Sequence, residues 1–191
     1  MASSASKTLL KNPPSREEMR KTIWELKTKG DQTLVLVGTA YLDSALKELL
    51  EAKFITLTKD ERNMIFGASR GGFLAPFFPK LLLCRAMGLL GALSFHDLSL
   101  INDIRIVFAH SLHDIDFQND RVQADCASLK VYAESCRICE GPQNITEASG
   151  IFAHTVAVIY AALVFEIDAT RNKKSTSPLD TWLRDLPFIM S

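Results

Sequence analysis

The sequence predicts an all-α protein, a multi-helix bundle formed by one domain. Apolar residues recur at steps of three and four along several stretches of the 191-residue chain, and this spacing places them on one face of a helix. No stretch of any length alternates apolar and polar residues as a half-buried strand would. A chain of this length can also bury one sizeable core. We therefore expect a helical domain over residues 15–170, a flexible arm at 1–14, and a polar linker with a short amphipathic tail at 171–191.

The first part of the domain predicts two helices. Ser15 and Glu18 have the spacing of a capping box, and they open a short helix that ends at the turn of Gly30. A long amphipathic helix follows over 31–54, with Asp31 as its expected N-cap. Its buried stripe is predicted to contain Leu34, Val37, Tyr41, Leu42, Ala45, Leu46, Leu49 and Leu50.

Residues 55–72 predict a connecting loop with a charged turn and a glycine cluster. The stretch GASRGG lacks the G-x-x-x-x-G-K-[ST] spacing of a phosphate loop, and no strand precedes it, so we expect no nucleotide binding there. Pro76 and Pro79 are tolerated only in the first turn of a helix. The next helix is therefore expected to begin near Pro79 and to end at Gly91.

The second half of the chain predicts three more helices. Ser94 is the expected N-cap of the first, with Asp97 three residues on, and its apolar face carries Leu98, Ile101 and Phe108. The acidic and amide residues of HDIDFQND end that helix. A further helix is predicted from about Arg121 to Ile138.

The last predicted helix, at about 150–167, is the most hydrophobic segment of the chain. Its length is at the short limit for a bilayer span, and it contains His154 and ends at Glu166. These polar residues favour a helix buried in the middle of a bundle over a membrane anchor. We therefore expect no membrane partner, although anchoring by 151–167 stays open.

Charge and cysteine content limit the function classes. Lys plus Arg equals Asp plus Glu, 22 against 22, so no global positive field attracts the protein to nucleic acid or to an anionic membrane. The N-terminus lacks the basic and apolar regions of a secretory signal. The four cysteines are widely spread, which favours reduced thiols over a disulfide framework. We expect a cytoplasmic protein.

No motif in the sequence requires a cofactor. Cys136 and Cys139 form one C-x-x-C, but zinc needs four ligands and no second pair lies nearby. The stretch HSLHDID gathers metal-capable residue types, yet a loop after a helix also uses such residues for capping. The sequence contains no G-x-S-x-G nucleophile elbow following a predicted strand, no H-E-x-x-H zinc motif and no Gly-rich nucleotide loop. We expect neither a metal nor an organic cofactor.

Arg105 and His110 in IRIVFAHS are the candidate catalytic residues. A histidine can transfer protons to and from RNA oxygens while an arginine binds the phosphate, so such a pair can cut RNA without metal. On a regular helix the two side chains lie about 140° apart. Either the helix unwinds near Phe108, or a two-fold dimer brings both motifs into one cleft. The non-catalytic alternative pairs Arg105 with a carboxylate such as Asp97, while His110 caps the helix C-terminus.

A family resemblance rests on GGFLAPFFPKLLLCRAMGLL, HDLSLINDIRIVFAHS and DFQNDRVQADCASLK, together with the earlier VGTAYLDSALKELL. With these pieces, somewhat more than half of the chain resembles the mannitol operon repressor (MtlR)-like family of small helical bacterial proteins. This resemblance implies a regulator that acts through protein contacts and has no DNA-reading helix of its own. The zero net charge and the absence of a basic recognition helix agree with this expectation.

The piece around IRIVFAHS is also similar to the R-x-x-x-x-H signature of HEPN domains, with Arg105 and His110 at the motif positions. HEPN domains are helical bundles that often dimerise and often act as metal-independent ribonucleases. In those ribonucleases the residue after the arginine is usually polar, and here it is Ile106. Position 106 lies on the face of His110, so the polar side chain that would orient the imidazole is missing.

Two functions follow as expectations. The first is an MtlR-like regulatory homodimer that binds a protein partner, modulates transcription through it, and reads no DNA sequence itself. The alternative is a HEPN-type metal-independent endoribonuclease that uses Arg105 and His110 and has RNA as its partner. The neighbouring polar residues Asn102, Asp103 and His113 are the candidate binding residues.

Overall fold

The computed structural model describes residues 16–54, 56–111, 115–139 and 145–171. Within these ranges the chain forms α-helices and no strand, which confirms the predicted all-α bundle. The predicted arm, the Ser15 cap and the C-terminal tail lie outside the described residues. The helices are α1 (Arg16–Thr28), α2 (Asp31–Lys53), α3 (Lys59–Phe66), α4 (Phe77–Ala86), α5 (Ala92–His110), α6 (Asp120–Ala127), α7 (Lys130–Cys139) and α8 (Ala148–Arg171), with a 3-10 turn at Ala68–Arg70.

Helices α2 and α8 form the centre of the bundle. They approach closely because Gly38 has no side chain, and a Cβ built there would lie 3.4 Å from Val156. Tyr41 and Tyr160 pack edge to face, with 5.9 Å between ring centroids. Around this pair, α1 contacts both helices, α4 and α5 pack on α2, and α6 and α7 pack on α8.

Helix α8 confirms the predicted buried helix in the middle of the bundle. Phe152, Val156, Ile159 and Leu163 are completely buried. Among the described residues, α8 is also the one helix whose length and composition would suit a membrane span, and more than half of its most apolar window is buried inside the bundle. Core helices of soluble proteins have the same composition.

The predicted helix over 31–54 is confirmed as α2, but the expected N-cap role of Asp31 is wrong. Gly30 is the N-cap, with a φ of 106°, and Asp31 is the first helical residue. The Asp31 carboxylate instead accepts a hydrogen bond of 3.0 Å from the backbone N–H of Phe117. It therefore joins the start of α2 to the segment before α6.

The predicted loop over 55–72 contains a helix, α3. Thr58 caps it through a reciprocal capping box: its hydroxyl accepts from the N–H of Glu61, and the Glu61 carboxylate accepts from the N–H of Thr58 at 2.7 Å. This side-chain pair satisfies helix-end donors that would otherwise lack partners. The stretch TKDE carries this pattern, so the sequence could have predicted the helix.

The boundaries predicted for α4 and α5 are also wrong. Helix α4 begins at Phe77 and ends at Ala86, before Gly91, because Gly88 adopts a left-handed φ of 71°. The N–H of Leu89 then donates to the carbonyl of Cys84 at 2.9 Å, which closes a Schellman-type end. Helix α5 begins at Ala92 with Gly91 as its cap. Ser94 and Asp97 therefore lie inside α5 and do not cap it.

The helix predicted over 121–138 is broken into α6 and α7 at Ser128 and Leu129. The break is stabilised from another helix. The buried Asp97 carboxylate of α5 accepts from the N–H of Lys130 at 3.0 Å and from the N–H of Val131 at 2.7 Å. Asp97 thus caps α7 from a different helix of the same chain. A local sequence pattern cannot reveal such a cap.

Candidate functional site

Arg105 and His110 lie in the C-terminal part of α5. Buried Ile101, Ile104 and Phe108 hold this part of the helix against the core. Arg105 is half-buried, whereas His110 is exposed and is the last residue of the helix. Both side chains therefore reach the surface near one end of α5, and neither belongs to the core.

The helix stays regular through this motif, so of the two alternatives the one in which the helix unwinds near Phe108 is wrong. The N–H of Ser111 still donates to the carbonyl of Val107 at 3.1 Å, as it does in a continuous helix. Five residues turn through about 500°, so the two side chains point about 140° apart. A single chain does not bring Arg105 and His110 onto one face.

The other residues of the candidate site are spread around the same helix. Asn102 is buried and Asp103 is exposed, while His113 lies outside the described residues. Ile106 is 43% exposed and lies one turn before His110. The surface beside the imidazole at this turn is therefore apolar, and Ile106 offers no hydrogen bond to orient it.

Asp97 does not pair with Arg105, contrary to the non-catalytic alternative. Its carboxylate is completely buried and accepts from the two α7 N–H groups and from Nδ1 of His96, which lies 2.8 Å away. Asp97 therefore connects α5 to α7 by hydrogen bonds. The position predicted for His110, at the helix C-terminus, is the one observed.

The His96–Asp97 pair was not identified from the sequence. A carboxylate only accepts hydrogen bonds, so Nδ1 of His96 must carry the proton and Nε2 points away from Asp97. A carboxylate oriented against an imidazole is an arrangement that general bases use. Here, however, the same carboxylate caps α7, and this accounts for its burial. The adjacent letters HD were the available sequence pattern, but they were interpreted as local capping.

The described residues contain no group of three or more His, Cys, Asp or Glu side chains that could hold a metal ion. The metal alternative for HSLHDID falls partly on residues 112–114, outside the described ranges. Cys84 and Cys126 are buried free thiols, and Cys136 is a partly exposed one.

A second candidate site is an apolar surface on α4. Of the seven large apolar side chains that are exposed among the described residues, four lie on this helix or next to it: Phe73 is 66%, Phe78 46%, Leu82 51% and Met87 42% exposed. Phe78 and Leu82 are one turn apart on the outer face of α4, and Phe73 and Met87 lie just before and after the helix. Met87 lies five residues after Leu82 and hence about 140° round the helix from it, so we call Phe78 and Leu82 the α4 surface. Exposed apolar residues that cluster in this way mark interaction sites.

Lys80 fixes the α4 surface relative to α2. Its side chain is 2% exposed, and Nζ donates to the carbonyls of Leu74, Ala75 and Pro76 at 3.2, 2.8 and 3.2 Å. Nζ also lies 2.8 Å from Oδ1 of Asp43 on α2. The segment that leads into α4 is thereby held by one buried cation, so the outer face of α4 has a defined orientation.

Comparison of the chain with protein-family models, with curated proteins and with solved structures finds no match.

Proposed function

We propose that this protein is a regulator that acts through protein contacts, as its MtlR-like resemblance implies, and that the α4 surface is the contact site. The observation that carries the proposal is the exposure of Phe78 and Leu82, one turn apart on the outer face of an anchored helix. Burying the exposed half of such a side chain at an interface contributes roughly 1 kcal/mol. A regulator of this kind needs no DNA-reading helix, because its partner supplies the specificity.

Rigidity supports the same proposal. The inner face of α4 contains buried Phe77, Leu81 and Cys84, and Lys80 anchors the residues before the helix. The outer apolar residues are therefore presented on a fixed element and not on a loose loop. Preorganisation lowers the entropic cost of binding.

Affinity capture from the native host, with the partner identified by mass spectrometry, tests this proposal. We expect one specific partner with the unsubstituted chain and loss of that partner with Phe78→Asp combined with Leu82→Asp. The matched control is Ile106→Asp on α5, where the replaced side chain is 43% exposed. Equal capture by all three proteins, or no specific partner at all, would contradict the proposal.

A second candidate function is a HEPN-type endoribonuclease. The observation that favours it is the surface position of both Arg105 and His110 near one end of α5. Because one chain holds them about 140° apart, we propose that a homodimer would combine Arg105 of one chain with His110 of the other. In that cleft the imidazole would transfer the proton and the guanidinium would bind the phosphate.

Complementation tests this second candidate. Single-stranded RNA is incubated with EDTA and with Arg105→Ala, His110→Ala, or a refolded mixture of the two. A shared cleft predicts that each variant alone is inactive and that the mixture recovers about a quarter of the activity, since half of the dimers are mixed and each retains one of two sites. Absence of cleavage by the unsubstituted chain would exclude the ribonuclease.

A further inference from the structure

We propose that the C-terminal segment 179–189 of the same chain docks on the α4 surface and covers it. Its regulatory consequence rests on the proposed function: a partner that binds α4 would have to displace this segment.

The end of α8 lies against the C-terminal half of α2. Nη2 of Arg171 donates to a Glu48 carboxylate oxygen at 3.1 Å. Five residues earlier, Oε1 of Glu166 lies 3.9 Å from Nζ of Lys53. The chain therefore continues into residues 172–191 from a point beside Glu48.

The α4 surface is carried on the same half of α2. Lys80 pairs with Asp43 at 2.8 Å. The neighbouring helix α3 contacts the C-terminal end of α2. Nε of Arg62 lies 3.3 Å from Glu51, and the ring of Phe66 stacks at 6.1 Å on Phe54, the residue that follows α2. Both the end of α8 and the start of α4 are thus attached within a short stretch of α2.

The linker is long enough to join these two points. Asp43 and Glu48 are separated by about 8 Å along the axis of α2 and face directions about 140° apart. A path around α2 from α8 to α4 crosses about two interhelical spacings, roughly 20 Å. Residues 172–178 extend to about 25 Å. The segment that starts at Leu179 can therefore reach α4 within one chain.

The sequence of the segment matches this surface. Leu179, Trp182, Leu183 and Leu186 follow the i, i+3, i+4, i+7 spacing of one apolar helical face, with Asp180, Arg184 and Asp185 between them. A second whole copy of the protein is a poorer occupant. The outer face of a ten-residue helix, about 15 Å long and about 10 Å wide, offers roughly 150 Å², whereas a stable interface between two whole proteins usually takes about 800 Å² per partner. A short amphipathic helix fits the smaller area.

The test uses the full chain labelled with 5-fluorotryptophan. The chain contains two tryptophans, and Trp182→Phe assigns the ¹⁹F resonance of Trp182. We expect this resonance to show a small H₂O/D₂O solvent shift at all protein concentrations. The shift should increase to that of an exposed indole in Phe78→Asp combined with Leu82→Asp, and it should not change in Ile106→Asp.

Three results would overturn the proposal. The first is a solvent shift of Trp182 in the unsubstituted chain that equals that of an exposed indole, and the second is a shift that does not change in the α4 double variant. The third is a small shift that increases on dilution, because the protection would then come from another copy of the protein. Should the double variant unfold by circular dichroism, the reverse variant Leu183→Asp replaces it. Its expected result is a shifted methyl resonance of Leu82, assigned by Leu82→Ile, and an unshifted Leu82 resonance overturns the proposal. No partner is present in either experiment, so its outcome is independent of the capture test.

Discussion

Lys80 and Glu166 show how differently two buried charged side chains can be accommodated. Lys80 is surrounded by three carbonyls and a carboxylate. Glu166 is 1% exposed, its nearest cation is Lys53 at 3.9 Å, and its Oε2 has no hydrogen-bond partner. Burial therefore raises the pKa of Glu166 to about 7, and Lys53 offsets this only in part. The charged form of this carboxyl destabilises the fold.

The raised pKa of Glu166 predicts a pH-dependent stability. The unfolded carboxyl loses its proton near its ordinary pKa of 4.5, whereas the folded one keeps it to about pH 7. The stability is therefore complete below about pH 4.5 and decreases as the pH rises to 7, by up to about 3 kcal/mol. Urea unfolding at pH 5 and pH 8 measures it. We expect Glu166→Gln to remove this decrease, and a decrease that persists in the variant would refute the assignment.

The buried thiols predict a selective labelling pattern. Burial raises the pKa of Cys84 and of Cys126 to about 12, so almost no thiolate is available near neutrality. Iodoacetamide at pH 7.5 should leave both unmodified in the folded protein and modify both in urea. Peptide mass spectrometry reads the sites. Rapid labelling of either cysteine without denaturant would show that its helix opens readily.

At the scale of elements, α5 has two structural roles besides carrying the candidate catalytic residues. Its apolar face packs against α2, and its Asp97 carboxylate provides the N-terminal cap of α7. Local patterns explain α2 through its apolar spacing and α3 through the Thr58–Glu61 capping box at its start. They do not explain the break between α6 and α7, because its cap comes from a residue more than thirty positions earlier.

We predict that Asp97→Ala destabilises the protein by about 2–3 kcal/mol, since buried N–H groups of α7 lose their acceptor. Asp97→Asn should cost less, because its amide oxygen can still accept one of these bonds. Asp103→Ala is the control, as Asp103 is an exposed carboxylate on the same helix. Free energies of unfolding in urea give the comparison. A small loss for Asp97→Ala, within 0.5 kcal/mol of the control, would contradict the cap.

For the whole molecule, the placement of α8 at the centre bears on the membrane alternative. A helix of this composition could cross a bilayer by length alone. In the bundle, however, its apolar side chains contact α2, α1, α6 and α7. Releasing them would expose those helices as well. The structure therefore favours a core helix over a membrane span.

Sedimentation with lipid vesicles tests this arrangement. We predict that the full chain stays in the supernatant with both neutral and anionic vesicles, because Phe152, Val156, Ile159 and Leu163 are already buried by protein. Phe165→Ser, which replaces an exposed residue of α8, should behave in the same way. Pelleting that only detergent reverses would support anchoring by α8 instead.

The sequence by itself determined the helical class, the long α2 and the central α8, because apolar periodicity depends only on neighbouring residues along the chain. It also placed Arg105 and His110 on one helix. Tertiary structure decided which polar groups are buried, where Asp97 and Asp31 find their partners, and that Phe78 and Leu82 face outward. Those outcomes depend on contacts between residues distant in sequence, and a local pattern carries no information about such contacts.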